Sequence, residues 1–243
     1  MNRMAAVIGT MLLGGVMTWI YDIGWTDLRV RKKPDMERVR VACVGDSITY
    51  GNQVRHRSKN CYPSVVQEQL GETFQVDNFG LNARTLMNSG DRPYRREAEY
   101  QRSLDFLPDV VVIKFGTNDS KAMNWKTEED FRAEYESFLE AYRSLPSKPK
   151  LYVCTPAAAY GRSRGNEDIY TYKIQERGLK GARKAIRKMA EEDADLTLID
   201  VAEFTKEHRD WFVWDGIHLN QKGARNLGTF IAAQIRQQRT VKE

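Results

Sequence analysis

The sequence predicts an α/β chain, folded as a three-layer α/β/α sandwich around a parallel sheet of five strands. Two observations carry that prediction. Strand-like apolar runs alternate with helical stretches along most of the chain, which is the rhythm of parallel βαβ units. The run "VVVI" at 110–113 is continuously apolar rather than alternating, as a strand covered on both faces must be.

Taken in order, residues 4–21 ("MAAVIGTMLLGGVMTWIY") carry no charge. As a helix they span about 27 Å, enough for a hydrocarbon core. Trp19, Tyr21 and Trp25 stand where an interfacial aromatic belt is expected. The segment 1–35 therefore reads as a membrane signal-anchor or an export signal followed by a basic linker, implying a membrane-anchored or exported protein. Arg29, Arg31, Lys32 and Lys33 pull the other way, since they favour a cytoplasmic C-terminal side.

A second unit, 36–243, holds the remaining elements. Strands are expected at 38–44, 74–79, 109–115, 150–154 and 196–201, with helices near 62–71, 128–144, 171–191 and 222–237. Lys173, Arg177, Lys180, Lys184 and Arg187 fall at steps of three and four, opposite a stripe of Ile174, Ala182, Ala185 and Met189. That is the pattern of an amphipathic helix with a solvated basic face.

With 41% apolar and 29% charged residues the chain is too rich in core formers to be disordered. Its net charge of +5 is not interleaved with aromatics, so nucleic acid is not an expected partner. Cys43, Cys61 and Cys154 have no metal-ligand spacing, and no disulfide framework or metal site is expected.

In parallel α/β sheets ligands bind outside the carboxyl ends of the strands. Several polar groups of the sequence stand at or near such positions. Ser47 follows the first strand in "GDSIT", and Gly80 follows the second in "NFGLNART". Asn118 follows the third in "FGTNDS", and Asp215 lies three residues before His218 in "WDGIHLN". Acyl transfer needs a nucleophile, a base, a group to orient the base, and donors for the oxyanion. Ser47, His218 and Asp215 supply the first three. The Ser47 amide, Gly80 and Asn118 supply the oxyanion donors. Asn82, Arg84, Lys121 and Trp125 flank these blocks and are candidate substrate contacts.

Each residue has a plainer reading. Ser47 read alone suits a helix N-cap. Gly80 suits a backbone constraint, Asn118 a βα turn, and Trp125 a core position. Of the other histidines, His56 lies in a basic loop and His208 in a charged stretch. His56 has no carboxylate close in sequence, and His208, with Asp210 nearby, reads as a surface residue.

Together "GDSIT", the glycine of "NFG", "GTND" and "DGIHLN" resemble, in order, the four sequence blocks of the SGNH (GDSL-type) hydrolases. The text around "GTND" resembles the bacterial carbohydrate and sialate O-acetylesterase branch. The resemblance implies a flavodoxin-like fold and a serine esterase without metal or organic cofactor. It also implies Ser47 as nucleophile, His218 as base, Asp215 as its orienter, and Gly80 and Asn118 in the oxyanion hole. Ile48 stands where the family more often has leucine. Short acyl esters of a small molecule or glycan are the expected substrates, because the flanks are polar and offer no apolar run to line an acyl channel. A lysophospholipase or thioesterase, a sugar O-acetyltransferase using the same triad, and a non-catalytic glycan binder are the competing readings.

Overall fold

The computed structural model of the chain describes residues 33–164 and 167–240. The apolar segment 4–21 lies outside them, and so does nearly all of the expected unit 1–35. Among the described residues no helix is long and apolar enough to cross a membrane.

Strand β1 (Val39–Gly45) leads into a one-turn helix α1 (Ser47–Tyr50), then α2 (Arg57–Asn60) and α3 (Tyr62–Leu70). Strand β2 (Phe74–Gly80) is followed by α4 (Ala98–Asp105), β3 (Val110–Lys114), α5 (Glu128–Arg143) and β4 (Lys150–Cys154). A small antiparallel ladder, β5 (Arg162–Arg164) with β6 (Glu167–Ile169), precedes α6 (Glu176–Glu192). Strand β7 (Leu196–Ile199), α7 (Val201–Thr205) and α8 (Gln221–Thr240) complete the chain.

The five strands β2-β1-β3-β4-β7 form one sheet in that order, all parallel. The expected fold class is thus the observed one. Its order is that of the flavodoxin-like doubly wound sheet, whose switch point lies between β1 and β3. Ser47 follows β1 and Asn118 follows β3, so both stand over that crevice.

Alternation along β1 explains the two cores. Val41 and Cys43 join Val112, Cys154, Leu227 and Ile231 on one face. Ala42 and Val44 join Val111, Ile113, Phe131, Phe138 and Ile186 on the other. A strand apolar at both parities is what two covering helix layers require.

Two expected boundaries move. The helix expected over 171–191 starts only at Glu176, because Thr171–Lys173 form a 3-10 turn in which Tyr172 is left-handed (φ 60, ψ 22). The basic stripe is otherwise as expected. Leu179, Ala182, Ala185 and Ile186 are buried, while Lys184 reaches Glu128 at 2.9 Å and Arg187 reaches Asp200 at 2.7 Å. Strand β7 ends at Ile199, since the Asp200 side chain accepts the Glu203 N–H and opens α7.

Candidate active site

The turn after β1 is capped by Asp46, not by Ser47. Asp46 Oδ1 accepts the Ile48 N–H at 2.9 Å. Gly51, at φ 88, closes the turn by donating to the Ser47 carbonyl at 3.0 Å. Ser47 is therefore the first residue of the turn, and its hydroxyl is released from capping. Its N–H has no acceptor inside the helix, as the first amides of any helix have none.

That hydroxyl lies 2.9 Å from His218 Nε2. On the other side of the ring, Nδ1 lies 2.7 Å from Asp215 Oδ2. The Asp-x-x-His spacing works because the aspartate folds the turn around itself: Oδ1 accepts the Ile217 N–H at 2.8 Å and the His218 N–H at 2.9 Å. Gly216 sits at φ 72 so close to Tyr160 that a Cβ would meet its carbonyl oxygen at 2.0 Å. Only glycine fits there. Burial alone would raise the Asp215 carboxyl, but the His218 ring and the two amides outweigh it and hold it at about 2. Asp215 is thus a carboxylate at neutral pH and fixes the ring with Nδ1 protonated and Nε2 facing Ser47. Ser47 and His218 are only 8% and 6% exposed.

Asn118 is also buried beside this crevice. Its Nδ2 donates to the Arg84 carbonyl at 3.1 Å, which leaves the second proton of that amide uncommitted. Asn124 steadies the loop by donating to the Asn118 carbonyl and to Asp91 Oδ1, both at 2.9 Å.

Gly80 departs from expectation. Its N–H donates to Asn78 Oδ1 at 2.8 Å. Its sequence signal has a steric cause, since a Cβ on Gly80 would meet the Tyr50 amide nitrogen at 2.2 Å. Glycine lets β2 pass under the nucleophile turn. Ala83, three residues on, is left-handed (φ 63) and one residue from the carbonyl that holds Asn118.

The flanking residues divide. Asn82 is exposed and its carbonyl accepts from Arg84 at 2.7 Å. The Arg84 guanidinium is held by Glu97 at 2.9 Å, and Lys121 stands 3.8 Å from Asp91. Trp125 is partly buried. Its ring packs on Phe131 at 5.7 Å, and it lies so close to α6 that a Cβ on Gly181 would meet it at 2.2 Å. Packing against the core cluster is the role these contacts show.

Three contacts of the triad escaped the sequence reading. Asn52 Nδ2 is 3.3 Å from His218 Nε2, Gln53 Nε2 is 3.4 Å from Asp215 Oδ2, and Tyr172 Oη donates to that same oxygen at 3.1 Å. Asn52 and Gln53 directly follow "GDSITYG" and were legible as neighbours of the nucleophile. Tyr172 carries no motif. The signal that marks it is conformational, since Gln53, Ala83, Tyr172 and Lys173 are four of the seven non-glycine residues at positive φ among the described ones. Such strain collects at functional sites.

Comparison with known proteins shows the family of the chain. Residues 43–225 match the model of the GDSL-like lipase/acylhydrolase family. An acetylxylan esterase of Xylanibacter ruminicola is 37% identical over 221 residues, which are 84% of this chain and 44% of that protein. The chain thus spans less than half the length of that relative. Among solved structures, an aryl esterase of M. smegmatis superposes with a TM-score of 0.63 at 23% identity, over 82% of this chain and 98% of its own. A carbohydrate acetylesterase from Sinorhizobium meliloti does so with a TM-score of 0.63 at 19% identity, over 82% and 99%. At these identities the two structures speak for the fold alone.

Proposed function

Because the chain belongs to the GDSL-like lipase/acylhydrolase family, we propose that it is a carboxylic ester hydrolase that removes short acyl groups, acetyl above all, from a carbohydrate. The observation that carries the reading is the unbroken chain from Ser47 Oγ through the His218 ring to Asp215, with both links at hydrogen-bond length.

In this mechanism Ser47 Oγ attacks the ester carbonyl as His218 Nε2 takes its proton. The imidazolium is stabilised by Asp215, which stays ionised throughout. Charge on the tetrahedral oxygen is met by the Ser47 N–H and Asn118 Nδ2. Ala83 N–H serves in place of Gly80, whose amide is engaged by Asn78. His218 then protonates the leaving sugar oxygen, and the acyl group remains on Ser47. Water repeats the sequence with His218 again as base and frees the acid.

Two further observations support the substrate class. The triad is contacted by the amide side chains of Asn52 and Gln53 and by Tyr172, groups suited to the hydroxyls and ring face of a sugar. The curated relative is an acetylxylan esterase. The test is acetate release from acetylated xylo-oligosaccharides, beside a series of p-nitrophenyl esters from acetate to palmitate. Wild-type protein should release acetate, Ser47→Ala should not, and efficiency should fall steeply beyond about four acyl carbons. A preference for octanoate or longer overturns the reading in favour of a lipid esterase or thioesterase.

A further inference from the structure

Tyr172 stands outside every sequence block, yet it touches two members of the triad. Its hydroxyl donates to Asp215 Oδ2 at 3.1 Å, and its ring meets the His218 ring edge-on, with centroids 5.5 Å apart and planes at 78°. The preceding residue binds the same aspartate, Thr171 Oγ1 donating to the Asp215 carbonyl at 2.9 Å. Two bonds from consecutive residues to one aspartate hold Tyr172 and Lys173 in left-handed conformations that an unrestrained loop would abandon.

Holding the ring this way leaves much of it in solvent. Tyr172 is 47% exposed. The setting is repeated around it. Among the described residues, the exposed large apolar side chains are Met36, Met123, Tyr172 and Trp214. Trp214 is one residue from Asp215. Met123 lies on the loop that bonds to the Tyr172 turn through Ala122 N–H and the Lys173 carbonyl at 3.1 Å. Three of the four are thus carried by segments that frame the triad, beside the amides of Asn52 and Gln53. An aromatic face with amides nearby matches the two sides of a pyranose, whose C–H face packs on a ring and whose hydroxyls need polar partners.

We propose that Tyr172 is the specificity-determining residue of this site. The exposed face of its ring receives the sugar that carries the ester, while its hydroxyl and edge position Asp215 and His218. The inference rests on the carbohydrate-ester reading and adds to it the side chain that recognises the sugar.

The test uses the full chain with two substrates, p-nitrophenyl acetate and acetylated xylo-oligosaccharides, and measures kcat and KM separately. Tyr172→Phe keeps the ring and loses the bond to Asp215. Its kcat should fall about fivefold on both substrates with KM unchanged, as expected for one lost hydrogen bond. Tyr172→Leu loses the ring as well. Its KM for the oligosaccharide should rise a further tenfold or so, while KM for p-nitrophenyl acetate stays within about twofold. Where the leucine variant does not fold, Tyr172→Gln takes its place with the same expectation.

A ring-loss variant that leaves both KM values unchanged, or shifts both alike, sinks this inference alone. So does Tyr172→Phe with the oligosaccharide KM of the leucine variant, because the hydroxyl would then be the sugar contact. Wild-type protein that turns over p-nitrophenyl acetate but frees no acetate from the oligosaccharide sinks the carbohydrate reading itself, and the platform with it.

Discussion

Asp119 and Asp215 are both buried carboxylates on loops beyond the carboxyl ends of the strands, and both accept backbone amides. They nevertheless shift in opposite directions. Burial pushes Asp119 up to about 6 despite bonds from the Met87 and Leu86 amides, and the charge of Asp46 adds to the push. Burial acts on Asp215 too, but the His218 ring N–H and the two amides of its own turn overcome it and hold it at about 2. The difference is a partner able to take positive charge. Asp119 is a bolt between loops, joining Gly116 N–H at 3.1 Å to Met87 N–H at 2.8 Å. In the proposed mechanism Asp215 is a charge kept ready for an imidazolium. A buried aspartate becomes part of a reaction through what faces it, not through burial as such.

Substitutions at the reacting atoms test the Asp215 side of that contrast, and their effects should be the largest. Ser47→Ala and His218→Ala should lower kcat on p-nitrophenyl acetate by about four to six powers of ten, while the melting temperature moves little. Asp215→Ala should be milder, because it orients and stabilises without transferring the proton. Substantial turnover by clean Ser47→Ala protein would end the acyl-enzyme mechanism.

The oxyanion donors come next. Asn118→Ala should reduce kcat by about 10²–10³ with KM nearly constant, since its amide acts on charge that appears in the transition state. A change confined to KM would make Asn118 a substrate contact. The bolt should respond in the other currency. Asp119→Ala leaves the Met87 and Gly116 amides without their acceptor and should cost about 3 kcal/mol of stability. The rate per folded molecule should change far less than in Asp215→Ala. Chemical denaturation and active-site titration separate the two effects.

The sheet and the grouping of Ser47, His218 and Asp215 were legible because each rests on a short-range signal. Continuous apolar runs mark β1 and β3, and Ser47, Asn118 and His218 stand in blocks fixed to strand or helix ends. What stayed hidden depends on distant partners. The helix expected over 171–191 runs straight through Tyr172, and nothing local says that Asp215, over forty positions on, unwinds its first turn. Gly80 had a true signal with the wrong cause, close packing under Tyr50 rather than donation. Trp125 stood as a candidate substrate contact because it flanks the "GTND" block, and its packing role was visible only through its neighbours. The α6 glycine that makes room for it, Gly181, is recognisable only in three dimensions.

The smallest expected effect follows from the two carboxylates titrating in opposite senses. For Asp215 the folded value, about 2, lies below its ordinary value of 3.8. Its contribution is therefore present above about pH 4 and lost as pH falls toward 2. For Asp119 the folded value, about 6, lies above 3.8. The folded protein then holds a proton that the unfolded chain has released, so stability is greatest below pH 4 and falls as pH rises from 4 to 6. One proton sets a slope of at most about 1.4 kcal/mol per pH unit in either window. Denaturation midpoints measured from pH 3 to 7 should therefore carry a component that declines between 4 and 6. Asp119→Asn should remove that component, whatever the variant's basal stability, and Ser47→Ala should leave it in place. A decline between pH 4 and 6 that persists in Asp119→Asn would mean that another group carries the proton, and the contrast between bolt and catalytic carboxylate would lose its thermodynamic half.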